Sequence, residues 1–184
     1  MIIAFTGAGI SKESGIPTFE DMGNLREKLS RSFATQHPDE YAQIVGNLIN
    51  TCSRAEPNNA HLALAKYDIP VLTMNIDGLH QKAGSKNVIE LHGNPKTGIV
   101  LYGDPAPNYQ IAYDWVENLL PGDIFLVIGA SRYTNFSAMI RVLAKSSGAR
   151  VVEIQKEASK NVEAFLYNHR DKIESFEDFV KRAE

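Results

Sequence analysis

At 184 residues the chain matches about one domain of roughly 150 residues, and its 43% hydrophobic and 22% charged content is that of a soluble globular protein with a packed core. The 19 Lys and Arg set against 22 Asp and Glu leave a net charge of −3, which provides no global field to draw nucleic acid or anionic lipid. The longest apolar run, residues 124–130, is far short of the roughly 20 residues that span a bilayer; with no basic leader after Met1, a cytoplasmic setting without membrane contact is expected.

The first β-branched and apolar run covers residues 2–6, the length of a buried strand. It leads into Gly7, Ala8, Gly9, Ile10 and Ser11, then Gly15, Ile16, Pro17 and Phe19. Two glycines after a strand let the backbone approach a pyrophosphate at an opening helix. The third glycine falls six residues after Gly9, so the dehydrogenase spacing Gly-x-Gly-x-x-Gly is not met. Taken alone, the glycine pair reads equally as a dinucleotide loop or a structural turn.

Residues 18–56 contain no strand pattern, and helical spacing at 25–33 and 41–50 predicts a small helical insertion or lid within a single domain spanning 1–184. A helix is predicted over 60–67 and a strand over 71–74. Beyond that strand, Asn75 and Asp77 flank Ile76, and in extended chain they share one side. An amide and a carboxylate at a strand's carboxyl end suit a carboxamide, which has one acceptor and two donor hydrogens to satisfy. An Asx turn capped by Asp77 is the equal alternative.

The strand predicted at 88–91 ends in His92 and Gly93, where an imidazole is placed for use as a base. His37, His61, His80 and His169 sit on helical or turn patterns and are read as structural. Further strands are expected at 99–102, 124–128 and 151–154, giving six, with helices at 109–120, 136–146 and 161–168. A short strand at 172–175 and a helix from 176 complete the tail. Alternating strands and helices, the strands apolar on both faces, predict a doubly wound, Rossmann-like α/β fold around a mostly parallel six-stranded sheet. Its ligands would bind outside the strands' carboxyl ends.

In this order the segments resemble the sirtuin family. The glycine loop through Phe19, the run Pro57-Asn58-Asn59-Ala60-His61, Asn75-Ile76-Asp77 and His92-Gly93 look like its successive markers. Val100, Leu101, Tyr102 and Gly103 resemble the lining of its acyl-peptide cleft, and Gly129-Ala130-Ser131 and Gln155-Lys156-Glu157 its dinucleotide-contacting turns. The resemblance implies a lysine deacylase that consumes NAD. Asn75 and Asp77 would hold the nicotinamide half, and His92 would activate a ribose hydroxyl after nicotinamide has left. Acyl-lysine protein or peptide would be the substrate. NAD hydrolysis, ADP-ribosyl transfer and noncatalytic NAD or ADP-ribose binding are the competing readings.

The chain departs from the family pattern at Thr18, Glu20 and Met74, where the family has aspartate, arginine and glutamine. The family's four-cysteine zinc module should lie between His92 and Val100, yet only residues 93–99 bridge that gap and the chain's single cysteine is Cys52. A structural zinc site typically takes four ligands. No zinc-binding domain and no metal are therefore expected.

Overall fold

The computed structural model describes residues 1–18, 21, 23–94 and 98–182. From the amino end the chain runs through β1 (Ile2–Thr6), a 3-10 turn (Ala8–Ser14), α1 (Leu25–Lys28), α2 (Arg31–Gln36), α3 (Pro38–Arg54) and α4 (Asn59–Lys66). Next come β2 (Val71–Thr73), α5 (Leu79–Lys82), β3 (Val88–Glu90) and the short β4 (Gly93–Asn94) and β5 (Gly98–Ile99). The carboxyl-terminal half holds α6 (Asn108–Glu117), β6 (Ile124–Ile128), α7 (Asn135–Ser146), β7 (Arg150–Ile154), α8 (Ala158–Asn168) and α9 (Phe176–Lys181).

Five strands form one sheet in the order β3-β2-β1-β6-β7, every neighbouring pair parallel. Strand periodicity sends alternate side chains to opposite faces. Ile3, Phe5, Phe125 and Val127 meet Val116 of α6, Ile140 of α7 and Phe179 of α9 in one core. Ile2, Ala4, Leu126 and Ile128 meet Leu64 of α4 and Val162 and Leu166 of α8 in the other. Burial on both faces explains why these strands read as continuous apolar runs rather than alternating ones.

The expected six-stranded sheet is corrected to five strands. The run expected at 99–102 leaves the sheet, because its first residue and the Gly98 before it pair antiparallel with the segment just after His92, Gly93 opposite Ile99 and Asn94 opposite Gly98. Gly93 adopts φ +66° there, and a Cβ on it would lie 2.1 Å from the Gly98 carbonyl oxygen. The strand expected at 172–175 is also absent; Arg170–Lys172 is instead a 3-10 turn. The helix expected over 25–33 is two, since Ser30 is extended and its hydroxyl caps α2 by accepting from the Phe33 amide.

Helices α1 to α3 stand over the carboxyl end of the sheet. Leu25 and Leu29 pack with Leu101, and Ile44, Val45 and Leu48 of α3 lie against them. Tyr102 binds this insertion in strand-like fashion: its amide donates to the Leu29 carbonyl at 3.0 Å and its carbonyl accepts from the Arg31 amide at 2.9 Å. Arg31 and Asp104 add a bidentate ion pair at 2.8 and 2.7 Å.

Candidate active site

Strand order reverses around β1, which has β2 on one side and β6 on the other. The loops after β1 and β6 therefore converge at the switch point where open α/β sheets bind ligands. Gly9 donates its amide to the Gly129 carbonyl at 2.9 Å, and a Cβ on Gly9 would lie 2.7 Å from the Gly129 Cα. Gly129 itself has φ +57°, and a Cβ there would fall 2.2 Å from the Ile10 nitrogen. The glycines are thus required by the packing of two loops against each other.

Ala130 and Ser131 are fixed from behind. The Ala130 carbonyl accepts from Arg141 and from Gln155, and the Ser131 carbonyl accepts from the Ser137 hydroxyl. Arg141 is buried, with Glu153 as its carboxylate partner at 3.2 Å. Burial pushes the guanidinium below its ordinary value, and Glu153 opposes that effect.

On the other side of β1, Ser11 gathers the loop after β2. Its hydroxyl donates to Asp77 Oδ2 at 2.7 Å and accepts from Asn75 Nδ2 at 3.1 Å. The second Asp77 oxygen accepts from the Leu79 amide at 2.9 Å, so the Asx turn and the shared polar cluster are both present. His61 Nε2 lies 3.4 Å from the same hydroxyl. The Ser11 proton is directed to Asp77, and His61 Nδ1 faces the Asn58 amide; the proton of His61 is accordingly assigned to Nε2. Burial lowers this imidazole to about 4, partly opposed by Asp77.

His92 follows β3. Its Nδ1 is 3.0 Å from the Met74 carbonyl and its Nε2 is 2.9 Å from the Tyr109 hydroxyl. Burial holds the imidazole below its ordinary value while the Met74 carbonyl opposes this, leaving it neutral with a lone pair on Nε2.

One cleft brings Ala8, Ser11, Ile16 and Pro17 together with Asn75, Ile76, Asp77, His92, Val100 and Tyr102. The insertion adds Leu25, Leu29, Leu48 and Cys52 to its wall. The Cys52 thiol is pushed up to about 11 by burial, with Asp77 adding to the shift, and stays protonated. Arg26 stands over the rings of Tyr102 and Tyr133, at 5.4 and 4.4 Å, joining the insertion to the cleft wall and to the segment after β6.

Other expected residues lie elsewhere. Leu101 points into the insertion's core and Ile10 into the sheet's. Gly7 supports the loop, its carbonyl accepting from Asn75 Nδ2 at 3.2 Å. Gly15 closes the 3-10 turn at φ 82°, and Gly103 also takes a positive φ, 97°; neither lines the cleft. Lys156 offers its carbonyl to Asn161, while Glu157, φ +48°, begins α8 beside a separate open groove with Glu13 and Lys160. Phe19 and Glu20 lie outside the described residues. Cys52 on the cleft wall, and His61 and Tyr109, which contact the cleft residues Ser11 and His92, were not legible in the sequence: His61 reads as part of a helix start, Cys52 as one turn of α3, and Tyr109 as the opening of α6.

Among the described residues no group of three or more His, Cys, Asp or Glu side chains is arranged to hold a metal ion. The described residues offer no four-ligand set of the kind a structural zinc ion takes.

A parallel sheet with two loops meeting at its switch point and a histidine lining the adjoining cleft defines a Rossmann-like α/β protein. Residues 7–97 match the Sir2 family. The chain is 34% identical to NAD-dependent protein deacylase 1 of Caldanaerobacter subterraneus subsp. tengcongensis over 201 residues, covering 85% of this chain and 83% of that protein. It is 33% identical to an NAD-dependent protein deacetylase of Bacillus cereus over 221 residues, covering 95% and 89%. The chain belongs to the Sir2 family. Its fold superposes on the crystal structure of a Sir2 homolog–NAD complex with a TM-score of 0.82 at 23% identity, covering 94% of this chain and 90% of that one. A Sir2 structure with the inhibitor EX-527, 2'-O-acetyl-ADP-ribose and deacetylated p53 peptide gives a TM-score of 0.78 at 25% identity, covering 92% and 94%.

Proposed function

We propose that the chain is an NAD-dependent protein lysine deacylase, which moves the acyl group from lysine to ADP-ribose and releases nicotinamide. Family membership and the names of its relatives support this reading. The single structural observation that carries it is the convergence of Ser11, Asn75, Asp77 and His92 on one cleft whose far wall is Val100 and Tyr102.

On this reading Asn75 and Asp77 orient the nicotinamide carboxamide, their positions set by Ser11. The largely apolar wall keeps water from the reacting ribose carbon, where water would divert the reaction to hydrolysis. NAD supplies the ribose that accepts the acyl group. His92, neutral and anchored through Nδ1, offers the base that takes a proton from a ribose hydroxyl. Zinc has no part in this reading, which is supported by the single cysteine and the seven-residue bridge from Gly93 to Ile99.

The short β4–β5 hairpin favours a second reading, transfer to water, because so small a segment gives an acyl-lysine little wall to bind. Incubation with NAD, with and without an acetyl-lysine peptide, tests both. Peptide-dependent nicotinamide release with appearance of free lysine is the expected result; peptide-independent release would establish NAD hydrolysis, and no release would overturn both readings.

A further inference from the structure

His92 has both ring nitrogens engaged in the ligand-free protein. The Met74 carbonyl can only accept, so Nδ1 carries the proton and Nε2 keeps a single lone pair, into which the Tyr109 hydroxyl donates. A ribose hydroxyl arriving at His92 therefore meets a base whose lone pair is already occupied.

Tyr109 is firmly held. Its ring stacks on Phe136 with centroids 3.9 Å apart and planes 28° apart, and Phe136 in turn packs against Phe5 at 6.2 Å and Tyr113 at 5.4 Å. Next to it, Asn108 donates to the Glu90 carbonyl at 2.7 Å, tying the start of α6 to the strand that leads to His92. Moving the hydroxyl off Nε2 would disturb this stack. A phenol held in line can instead pass a proton without moving, since its oxygen accepts one hydrogen bond while its own hydrogen is donated.

We propose that Tyr109 is a catalytic residue, the proton relay between the ribose hydroxyl and His92; this rests on the deacylase reading above. As the ribose oxygen forms its bond to the acyl carbon, its proton passes to the Tyr109 oxygen and the Tyr109 proton passes to His92 Nε2. Nδ1 keeps its hydrogen, so the ring becomes an imidazolium and the phenol ends neutral as it began. The proton on Nε2 is then the one the departing lysine amine takes. Burial, followed by the nearby Tyr102 and Tyr113, raises the Tyr109 hydroxyl above its ordinary value, which keeps a proton on it to hand over.

Tyr109→Phe keeps the ring and its stack while removing the relaying oxygen. In this variant, exchange of labelled nicotinamide into NAD in the presence of acyl peptide, which precedes the base-dependent step, is expected to stay within about twofold of wild type. Net deacylation is expected to fall by about 100-fold, the usual scale of general acid–base assistance, with KM for NAD and Tm retained. A proton inventory in mixed light and heavy water should curve for the wild type, where two protons move, and be linear for the variant. A variant that deacylates as fast as wild type or faster would overturn the relay, showing a capping hydroxyl that the substrate displaces. Equal loss of exchange and deacylation would also overturn it, assigning the ring to the shape of the pocket. A wild-type protein inert toward acyl-lysine and NAD would defeat the deacylase reading and the relay with it, whereas an active wild type beside an equally active variant would defeat the relay alone.

Discussion

Ser11 donates its hydroxyl to Asp77 across 2.7 Å, joining the glycine loop of β1 to the turn that follows β2, 66 residues away in sequence. The same carboxylate receives the Leu79 amide at 2.9 Å, so one side chain both builds the turn and orients the cluster.

Removing that carboxylate should have two separable effects. Asp77→Ala is expected to cost about 1–2 kcal/mol of stability, through a lost cap and a hydroxyl without its acceptor. It should also impair NAD turnover far more than ADP-ribose binding, because Asp77 is assigned to the nicotinamide half; Asn75→Ala should share this selectivity. Denaturant melts, steady-state kinetics and calorimetric ADP-ribose titration measure the three quantities, and equal losses for both ligands would move these residues to another role.

Gly129→Ala should be among the most damaging small substitutions. The new methyl would meet Ile10 nitrogen at 2.2 Å on a backbone with φ +57°, combining a clash with left-handed strain for a cost of about 3 kcal/mol. The loops after β1 and β6 would have to part, so thermal stability and NAD affinity should fall together. A variant that melts and binds like wild type would show that the contact yields easily.

Acid should destabilise the fold through two buried histidines. His61 and His80 have rings 4.9 Å apart, and burial lowers them to about 4 and about 3 from the ordinary 6.5. Between those values and 6.5 the unfolded chain binds the extra protons, so this stability is complete above pH 6.5 and is lost as pH falls toward 4 and then 3. Urea midpoints taken from pH 7.5 down to pH 5 should decline by the equivalent of a few kcal/mol in all. His61→Gln should flatten the decline, and an unchanged slope in that variant would exclude His61 as its source.

A strong chelator should change neither Tm nor NAD-dependent turnover, and metal analysis of the purified protein should find well under one zinc per chain. Stoichiometric zinc with chelator-sensitive folding would require ligands beyond the one cysteine and five histidines of the sequence in their described positions.

The parallel sheet was legible because its strands are apolar on both faces: the runs at 2–6 and 124–128 coincide with β1 and β6 to the residue. The segment at 99–102 misled because Ile99 and Leu101 pack against the helical insertion, in a cluster with Leu25 and Leu29, a satellite core whose periodicity looks like that of a strand in the sheet. In the site, Asn75, Asp77 and His92 could be read because each lies within four residues of a strand's carboxyl end. Tyr109 could not, since its link to His92 depends on how α6 folds back over β3. Likewise, nothing in the local sequence around Cys52 announces that one turn of α3 reaches the cleft.

The strands that carry the two halves of the cleft are unequal. β6 and β7 pair over five residues each and support the loop containing Ala130 and Ser131, while β2 and β3 pair over three and carry Asn75, Asp77 and His92. β3 is also an edge strand and is partly exposed. A shorter ladder at an edge opens at lower free energy than a long buried one, so backbone amides of β3 should exchange with deuterium well before those of β6. The residues proposed for bond breaking thus hang from the shorter ladder, whose exchange should be the faster, and the loop after β6 hangs from the longer one.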